Sequence, residues 1–395
     1  MKGKQELRPA MSSDKRTVLV FQGLLWLEYR YNKCMEAQNI TKQDYPKLLE
    51  FLNQQLRPHV EWSIEAEYPQ VFKTHNQSRM MVVKNSEGEI LSHALYKVLP
   101  IKSIYGMIKL AAIGSVVTHA KHRGKGYSRK VVQACVDRAK SEGCELSILW
   151  SDLFDFYKAM NFYKTGYEYA FMVDRPLTET KNHFHVGANV SASTIENLYR
   201  KQSFQVLRKT VDFEANLKIP KSYVYTLWDK NNKLLSYAIE GKGVDFTGYI
   251  HEWGGGVNSI KELLTHIYNY RQQNLTLIVP GHSVNLRRDL KSLGIKNHLG
   301  ILGLVRLLGL ESLTAKINLY CKRLDYAVQF EATDNQSLVI RSGEEKVLLT
   351  GEEVILQTLF GPHELLGDKV LNNFLQSKLK NILPLPLWVW GWDSI

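Results

Sequence analysis

The chain has 395 residues, 44% hydrophobic and 23% charged, with 51 Lys and Arg against 39 Asp and Glu for a formal charge of +12. That length supplies core for two or three domains, and the composition excludes a disordered, collagenous or low-complexity chain. The positive balance favours anionic ligands, but it is spread along the sequence rather than gathered in one block, which weakens a nucleic-acid role.

The four cysteines, Cys34, Cys135, Cys144 and Cys321, form no C-x-x-C pair. Sparse thiols of this kind predict a reducing, cytoplasmic setting and no metal site. No apolar run reaches the roughly 18 residues of a membrane span, so no transmembrane segment is expected. The apolar stretch Thr17–Leu27 reads as a buried strand or helix. It contains Gln22, runs into Glu28 and Arg30, and lacks a small-residue cleavage site.

In chain order, 41–56 carries helical apolar spacing and 79–98 reads as a β-hairpin about Asn85-Ser86-Glu87-Gly88. Residues 107–119 read as a long strand. After Gly126, the residues Tyr127, Val131, Val132, Cys135, Val136 and Ala139 form one helical stripe that ends near Gly143. "ELSILW" at 145–150 is the next buried strand. Strand, glycine-containing basic turn, helix and strand make a βαβ-like unit with its turn aimed at a ligand.

The pattern then recurs. "NSEGEILSHALY" (85–96) aligns with "DKNNKLLSYAIE" (229–240), and "YKAMNF" (157–162) with "LKSLGI" (290–295). Between them, a strand at 244–253, the run Gly254-Gly255-Gly256, a helix at 259–270 and a strand at 275–279 repeat the order of the first unit. A polar stretch with a proline at 176–185 marks a boundary. From 312 onward, strand patterns fall at 316–322, 326–332, 337–341 and 346–349, followed by helices at 351–359 and 368–380.

The turn Lys121-His122-Arg123-Gly124-Lys125-Gly126 carries the chemistry. A pyrophosphate needs backbone N–H groups at a helix start with no Cβ in the way, and positive charge around it. Gly124 and Gly126 permit the approach, and Lys121, Arg123 and Lys125 supply the charge. A phosphate-binding G-x-x-x-x-G-K-[ST] loop is absent, and Gly124-x-Gly126-x-x-Arg129 fails the dinucleotide pattern at its third glycine.

Lys121-x-x-Gly124-x-Gly126, between a long strand and an amphipathic helix, resembles the acetyl-CoA loop of the GNAT N-acetyltransferases, with Lys where Gln or Arg is usual. Tyr157 followed by Asn161-Phe162 resembles that family's second signature, with Asn where Gly is usual. Asn is the commonest non-glycine residue at positive φ, so the exchange is mild. The tandem arrangement is similar to the Eis-type acetyltransferases. The resemblance implies an α/β (α+β) fold, with a mixed central sheet flanked by helices. It implies a catalytic GNAT domain at 1–178, a degenerate GNAT-like domain at 179–311 and a small α+β domain at 312–395. In that family the last domain resembles sterol carrier protein; this one is short for it.

The resemblance also implies roles. Val116, Val117 and Thr118 would hydrogen-bond the pantetheine arm of acetyl-CoA. Arg123, Gly124, Lys125, Gly126, Tyr127, Ser128 and Arg129 would wrap its pyrophosphate, with Ser151 and Asp152 as further cofactor contacts. Tyr157 would protonate the departing thiolate, and the carboxylate of Ile395 would be the base. Transfer to an amine needs the ammonium deprotonated and the sulfur protonated, so an acid and a base are both required. The apolar, aromatic ending "LPLPLWVWGWDSI" fits a fixed terminus better than a frayed one. A hydrophobic plug remains the alternative for Ile395, and a core aromatic for Tyr157.

Other residues have plainer readings. His119 reads as a turn cap, Glu145 as a solvated carboxylate, and Asp152 and Asp155 as acids at a helix start. Trp388, Trp390 and Trp392 read as core. In the second repeat the glycine run has no cation, and Leu290 stands where Tyr157 does in the first, so only the first repeat is expected to hold acetyl-CoA. The expected function is direct acetyl transfer to a primary amine on a small molecule or peptide acceptor. No nucleic acid is expected as a partner, and a homo-oligomer is compatible with the resemblance. The alternatives are an acyl-CoA-binding regulator without turnover and an anionic-surface or nucleic-acid binding protein on a vestigial core.

Overall fold

The structure, a computed structural model, describes residues 35–187, 190–334 and 336–395. The Thr17–Leu27 stretch and Cys34 lie outside the described residues.

The first sheet starts at β1 (Gln38–Asn39), followed by helices α1 (Tyr45–Leu56) and α2 (Ile64–Glu67). It continues through β2 (Met80–Lys84), β3 (Ile90–Ser103), β4 (Gly106–Thr118), α3 (Tyr127–Ser141), β5 (Leu146–Leu149), α4 (Phe154–Lys158) and β6 (Tyr163–Thr165). The β2–β3 turn forms because the Asn85 side chain accepts from the N–H groups of Glu87 and Glu89 at 3.1 and 2.8 Å. The α3 stripe buries Val131, Val132, Cys135, Val136 and Ala139 against this sheet, each large aliphatic side chain contributing roughly 1.5–3 kcal/mol.

The β4–β5 relationship positions the site. β4 pairs with β3 along its whole length but runs parallel to β5 only from Leu110↔Leu146 to Ala112↔Ile148. Beyond Ala112 the two strands part, and the β5-facing edge of 113–118 has no strand partner among the described residues.

The second sheet repeats this order. β7 (Glu168–Val173), β8 (His183–Val186), α5 (Ala192–Tyr199), β9 (Gln205–Val206), which pairs with β3 in the first sheet, and α6 (Thr210–Asn216) lead into β10 (Tyr223–Trp228) and β11 (Leu234–Lys242). Then come β12 (Asp245–Gly255), α7 (Val257–Arg271), β13 (Leu275–Pro280), α8 (Val284–Ser292), β14 (Asn297–Gly300) and β15 (Gly303–Leu307). β10 to β12 are antiparallel, β12 and β13 parallel, with α7 between them as α3 lies between β4 and β5. The two sheets exchange a strand. β7 leaves the first to lie between β13 and β14, and β15 leaves the second to lie between β5 and β6.

The rest consists of α9 (Leu310–Arg323), a sheet of β16 (Val328–Asp334), β17 (Ser337–Ser342) and β18 (Glu345–Thr350), α10 (Glu352–Phe360) and α11 (Lys369–Phe374). The strand expected at 316–322 is instead the second half of α9. Ile317, Leu319 and Cys321 alternate as in a strand, but the buried set is Leu310, Leu313, Thr314, Ile317 and Cys321, which is helical spacing, and Leu319 is exposed. The expected 368–380 helix is regular only to Phe374 and continues as a wider turn, Leu375–Leu379. No helix among the described residues is long and apolar enough to cross a membrane.

Candidate active site

The glycine turn lies at the start of α3. Gly124 and Gly126 have φ of 78° and 79°, which a side chain would strain, and a Cβ at either would meet nothing within 4 Å. Lys121, Arg123, Lys125 and Arg129 are exposed and form no ion pair among the described residues. An open backbone, a helix start and unneutralised cations suit a phosphate group. Ser128 lies in the first turn of α3, and the Tyr127 hydroxyl donates to the Met35 sulfur at 3.3 Å. The His119 ring accepts from the Lys121 N–H at 3.3 Å, the turn cap expected of it.

Val116, Val117 and Thr118 lie on the edge of β4 that has no strand partner among the described residues, an edge that an extended ligand can approach, although the Val117 carbonyl accepts from Ser92 Oγ at 3.0 Å and that of Thr118 from Arg123 Nε at 3.5 Å. A bulge opens this edge: His93 opposes Val117 and Leu95 opposes Gly114, so Ser115 and Val116 together face Ala94. Ser115 sits at φ 50°, a conformation costing roughly 1–2 kcal/mol. Buried His93 holds it, with Nδ1 2.9 Å from the Ser115 carbonyl oxygen. Burial pushes His93 down to about 4, so the ring is neutral and Nδ1 carries the proton that the carbonyl accepts.

The C-terminus arrives at this splay. A Cβ on Gly114 would lie 2.5 Å from the Ile395 carbonyl carbon and 2.6 Å from its oxygen, so only glycine admits the terminal residue there. A set of buried contacts fixes the approach. Arg208 grips Glu252 with two 2.7 Å bonds and Asp393 at 2.6 and 3.0 Å, all three side chains at most 2% exposed. Lys242 Nζ donates to the carbonyl of Gly391 at 3.0 Å and to that of Ser394. Gly391 lies so close to His251 that a Cβ would fall 2.1 Å from Nδ1. Trp388, Trp390 and Trp392 are buried, Trp390 edge-on to Trp253 at 5.5 Å.

Ile395 lines a cavity of about 440 Å³ whose walls come from both sheets, including Tyr68, Trp150, Glu168, Asp245 and His251. The ionisable groups on its walls are mainly acidic. Burial pushes Glu168 up to about 7. The Tyr68 hydroxyl donates to Asp245, and burial followed by that carboxylate raises the Tyr68 pKa well above its ordinary value. Burial pushes His251 down to about 3, so it brings no positive charge. A cleft of this sign in a chain of +12 suits a cationic ligand.

Tyr157, on α4, is 5% exposed in a cluster with Ile113 and Leu149, the residues at which β4 and β5 part. Phe156 and Phe162 pack edge-on against its ring at 4.9 and 6.1 Å. Burial raises its pKa, which keeps the phenol protonated. Asn161 sits at φ 60° and lets the chain turn into Phe162. Ser151 Oγ accepts from the Leu153 N–H at 3.1 Å, and Asp152 is exposed beside it. Glu145 is a correction: it is buried, accepting from Lys109 N–H at 2.7 Å and Ser312 Oγ at 2.8 Å and pairing with Lys316, because α9 covers the start of β5.

The matching place in the second sheet is closed. The Trp253 indole donates to the Ile278 carbonyl at 2.9 Å across the gap where β12 and β13 part. A Cβ on Gly254 would lie 2.5 Å from Tyr237, and one on Gly255 2.6 Å from Ser236, so these glycines serve strand packing. Leu290 is fully buried. Gly114, His93, Tyr68, Glu168, Asp245, Arg208 and Lys242 were not singled out from sequence. Gly114 alone carried a signal, a glycine inside a strand, where a second backbone often approaches.

The family model of the acetyltransferase (GNAT) family matches residues 39–167. No curated protein sequence matches the chain. Among solved structures, a conserved protein of unknown function from Enterococcus faecalis V583 is similar at TM-score 0.59 and 12% identity, over 87% of this chain and 96% of that one. A GCN5-related N-acetyltransferase from Kribbella flavida is similar at TM-score 0.53 and 13% identity, over 80% and 83%. Eis1 from Mycobacterium abscessus is similar at TM-score 0.52 and 11% identity, over 80% and 85%. At such identities the likeness is one of fold. Residues 39–167 thus match the acetyltransferase (GNAT) family model, and the chain as a whole shares the fold of solved GCN5-related N-acetyltransferases.

Proposed function

We propose that the chain transfers an acetyl group from acetyl-CoA to a cationic primary amine by direct attack, with the Ile395 carboxylate as base and Tyr157 as acid. The observation that carries this reading is the Ile395 main chain seated on Gly114 at the β4–β5 splay. Gly124, Gly126 and the cations around them would receive the pyrophosphate, and the edge of 116–118 beyond the β4–β5 pairing the pantetheine amides. The amine would enter the acidic cavity, where Glu168, Asp245 and the terminal carboxylate favour an ammonium ion.

Only the free amine attacks, so the ammonium must lose its proton in the site. An α-carboxylate is a weak base in water, and loss of solvent raises its basicity. The buried tail contacts hold it without requiring motion. As the carbon–sulfur bond breaks, the protonated Tyr157 phenol supplies the proton that makes CoA thiol. The closed gap at Trp253 supports one acetyl-CoA per chain, in the 1–178 domain, with 179–311 shaping the cleft as a degenerate repeat.

Release of CoA thiol from acetyl-CoA tests this with a monoamine, a diamine, spermine and a lysine peptide. Amine-dependent release is expected, fastest with the polycation. CoA binding with no release by any amine would instead favour a regulator.

A further inference from the structure

A second cavity, of about 430 Å³, lies behind the strand that walls the first. β7 separates them: Glu168 faces the cleft of Ile395, while its neighbours Tyr167 and Tyr169 face the second cavity. The segment 380–387 closes this cavity, and the same strap continues into the cleft from Trp388. None of the groups assigned to acetyl transfer lines it.

Its charged wall groups are two cations, Arg287 and Lys380, and one acid, Glu364. Arg287 lies over the Tyr169 ring, 4.4 Å from its centroid, on the cavity wall. Its Nε is buried without a hydrogen-bond partner, and its guanidinium forms no ion pair among the described residues. Arg287 is half-buried, and a guanidinium has five donors and cannot shed its charge, so one whose Nε is shut off from water with no acceptor invites an anion. Lys380 adds a second cation. The acid on the wall, Glu364, already accepts from the Tyr167 hydroxyl at 2.9 Å. His282 is neutral, pushed down to about 4 by burial and by Arg287. Phe360 and Tyr320 supply apolar surface for the body of a ligand.

We propose that this cavity binds a small organic anion, with an aromatic or apolar body between the rings and a carboxylate or phosphate against Arg287. The Tyr169 ring holds the Arg287 guanidinium at the cavity wall, and a guanidinium fork can give a carboxylate two N–H groups. The neutral amide of the same acid can accept through only one oxygen and gains nothing from the charge.

The test is calorimetry on the full chain with 1-naphthoate and its neutral counterpart 1-naphthamide, with CoA present to occupy the basic turn. Naphthoate is expected to bind at least about tenfold more tightly than the amide, and Arg287→Met to erase that preference. Tyr320→Trp, which enlarges a second side chain lining the cavity, should weaken both ligands together and keeps the test alive if Arg287→Met does not fold. Equal binding of acid and amide to the wild-type chain, no binding of naphthoate, or undiminished binding in the Tyr320 variant would each overturn the proposal.

Discussion

The main chain of Ile395 occupies the space that a side chain on Gly114 would need. A single methyl group there must displace the terminal residue, because the strand is held by β3 and the tail end is the part that can move. Gly114→Ala should therefore fold, lose at least about tenfold in turnover, and expose its C-terminus to carboxypeptidase. Normal turnover with a protected terminus would show that the two backbones tolerate each other.

The tail latch has a predicted energy. Arg208→Met leaves Glu252 and Asp393 buried without their cation and should cost about 3–5 kcal/mol in urea unfolding. The exposed Lys158–Glu353 pair is the comparison, and Lys158→Met should cost less than about 1 kcal/mol. Equal effects would remove the argument that the latch holds the terminus.

Glu168 makes stability and binding pH-dependent. Its pKa is raised in the folded chain to about 7 from 4.5, so it contributes stability that is fully present below 4.5 and lost as pH rises through about 7. Glu168→Gln should therefore gain on the wild type above pH 7, by no more than about 3 kcal/mol, and match it near pH 4. The same ionisation adds negative charge to the cleft. The KM of a cationic amine should fall as pH rises through 7 in the wild type and lose that step in the variant.

The basic turn separates geometry from charge. Gly126→Ala meets only the strain of φ 79° and should weaken CoA about tenfold at most. Gly126→Glu adds a carboxylate where the pyrophosphate is placed and should weaken it at least about tenfold further. Calorimetry with CoA distinguishes them, and two equal variants would argue against a phosphate at this turn.

Much of the architecture was legible because its signals were local. The α3 stripe, the Asn85–Gly88 turn and the glycines at 124 and 126 each follow from a few adjacent residues. The exchange of β7 and β15 was not, since a strand of either sheet has the same pattern. α9 was misread because a window starting at 316 saw Ile317, Leu319 and Cys321 without Leu310 and Leu313. The acids of the cleft escaped notice for a different reason. Tyr68, Glu168 and Asp245 lie far apart in the chain and join Ile395, which the resemblance had pointed to, only when both sheets and the tail meet.

The most direct measurement compares the chain ending in a free carboxylate with the same chain ending in a carboxamide, made by ligation of the last residues. The amide keeps Ile395, Asp393 and every tail contact while removing only the charge and the base. The account predicts a loss in kcat/KM of at least about 100-fold for a cationic amine, with CoA affinity unchanged. An amide chain as active as the acid would contradict it.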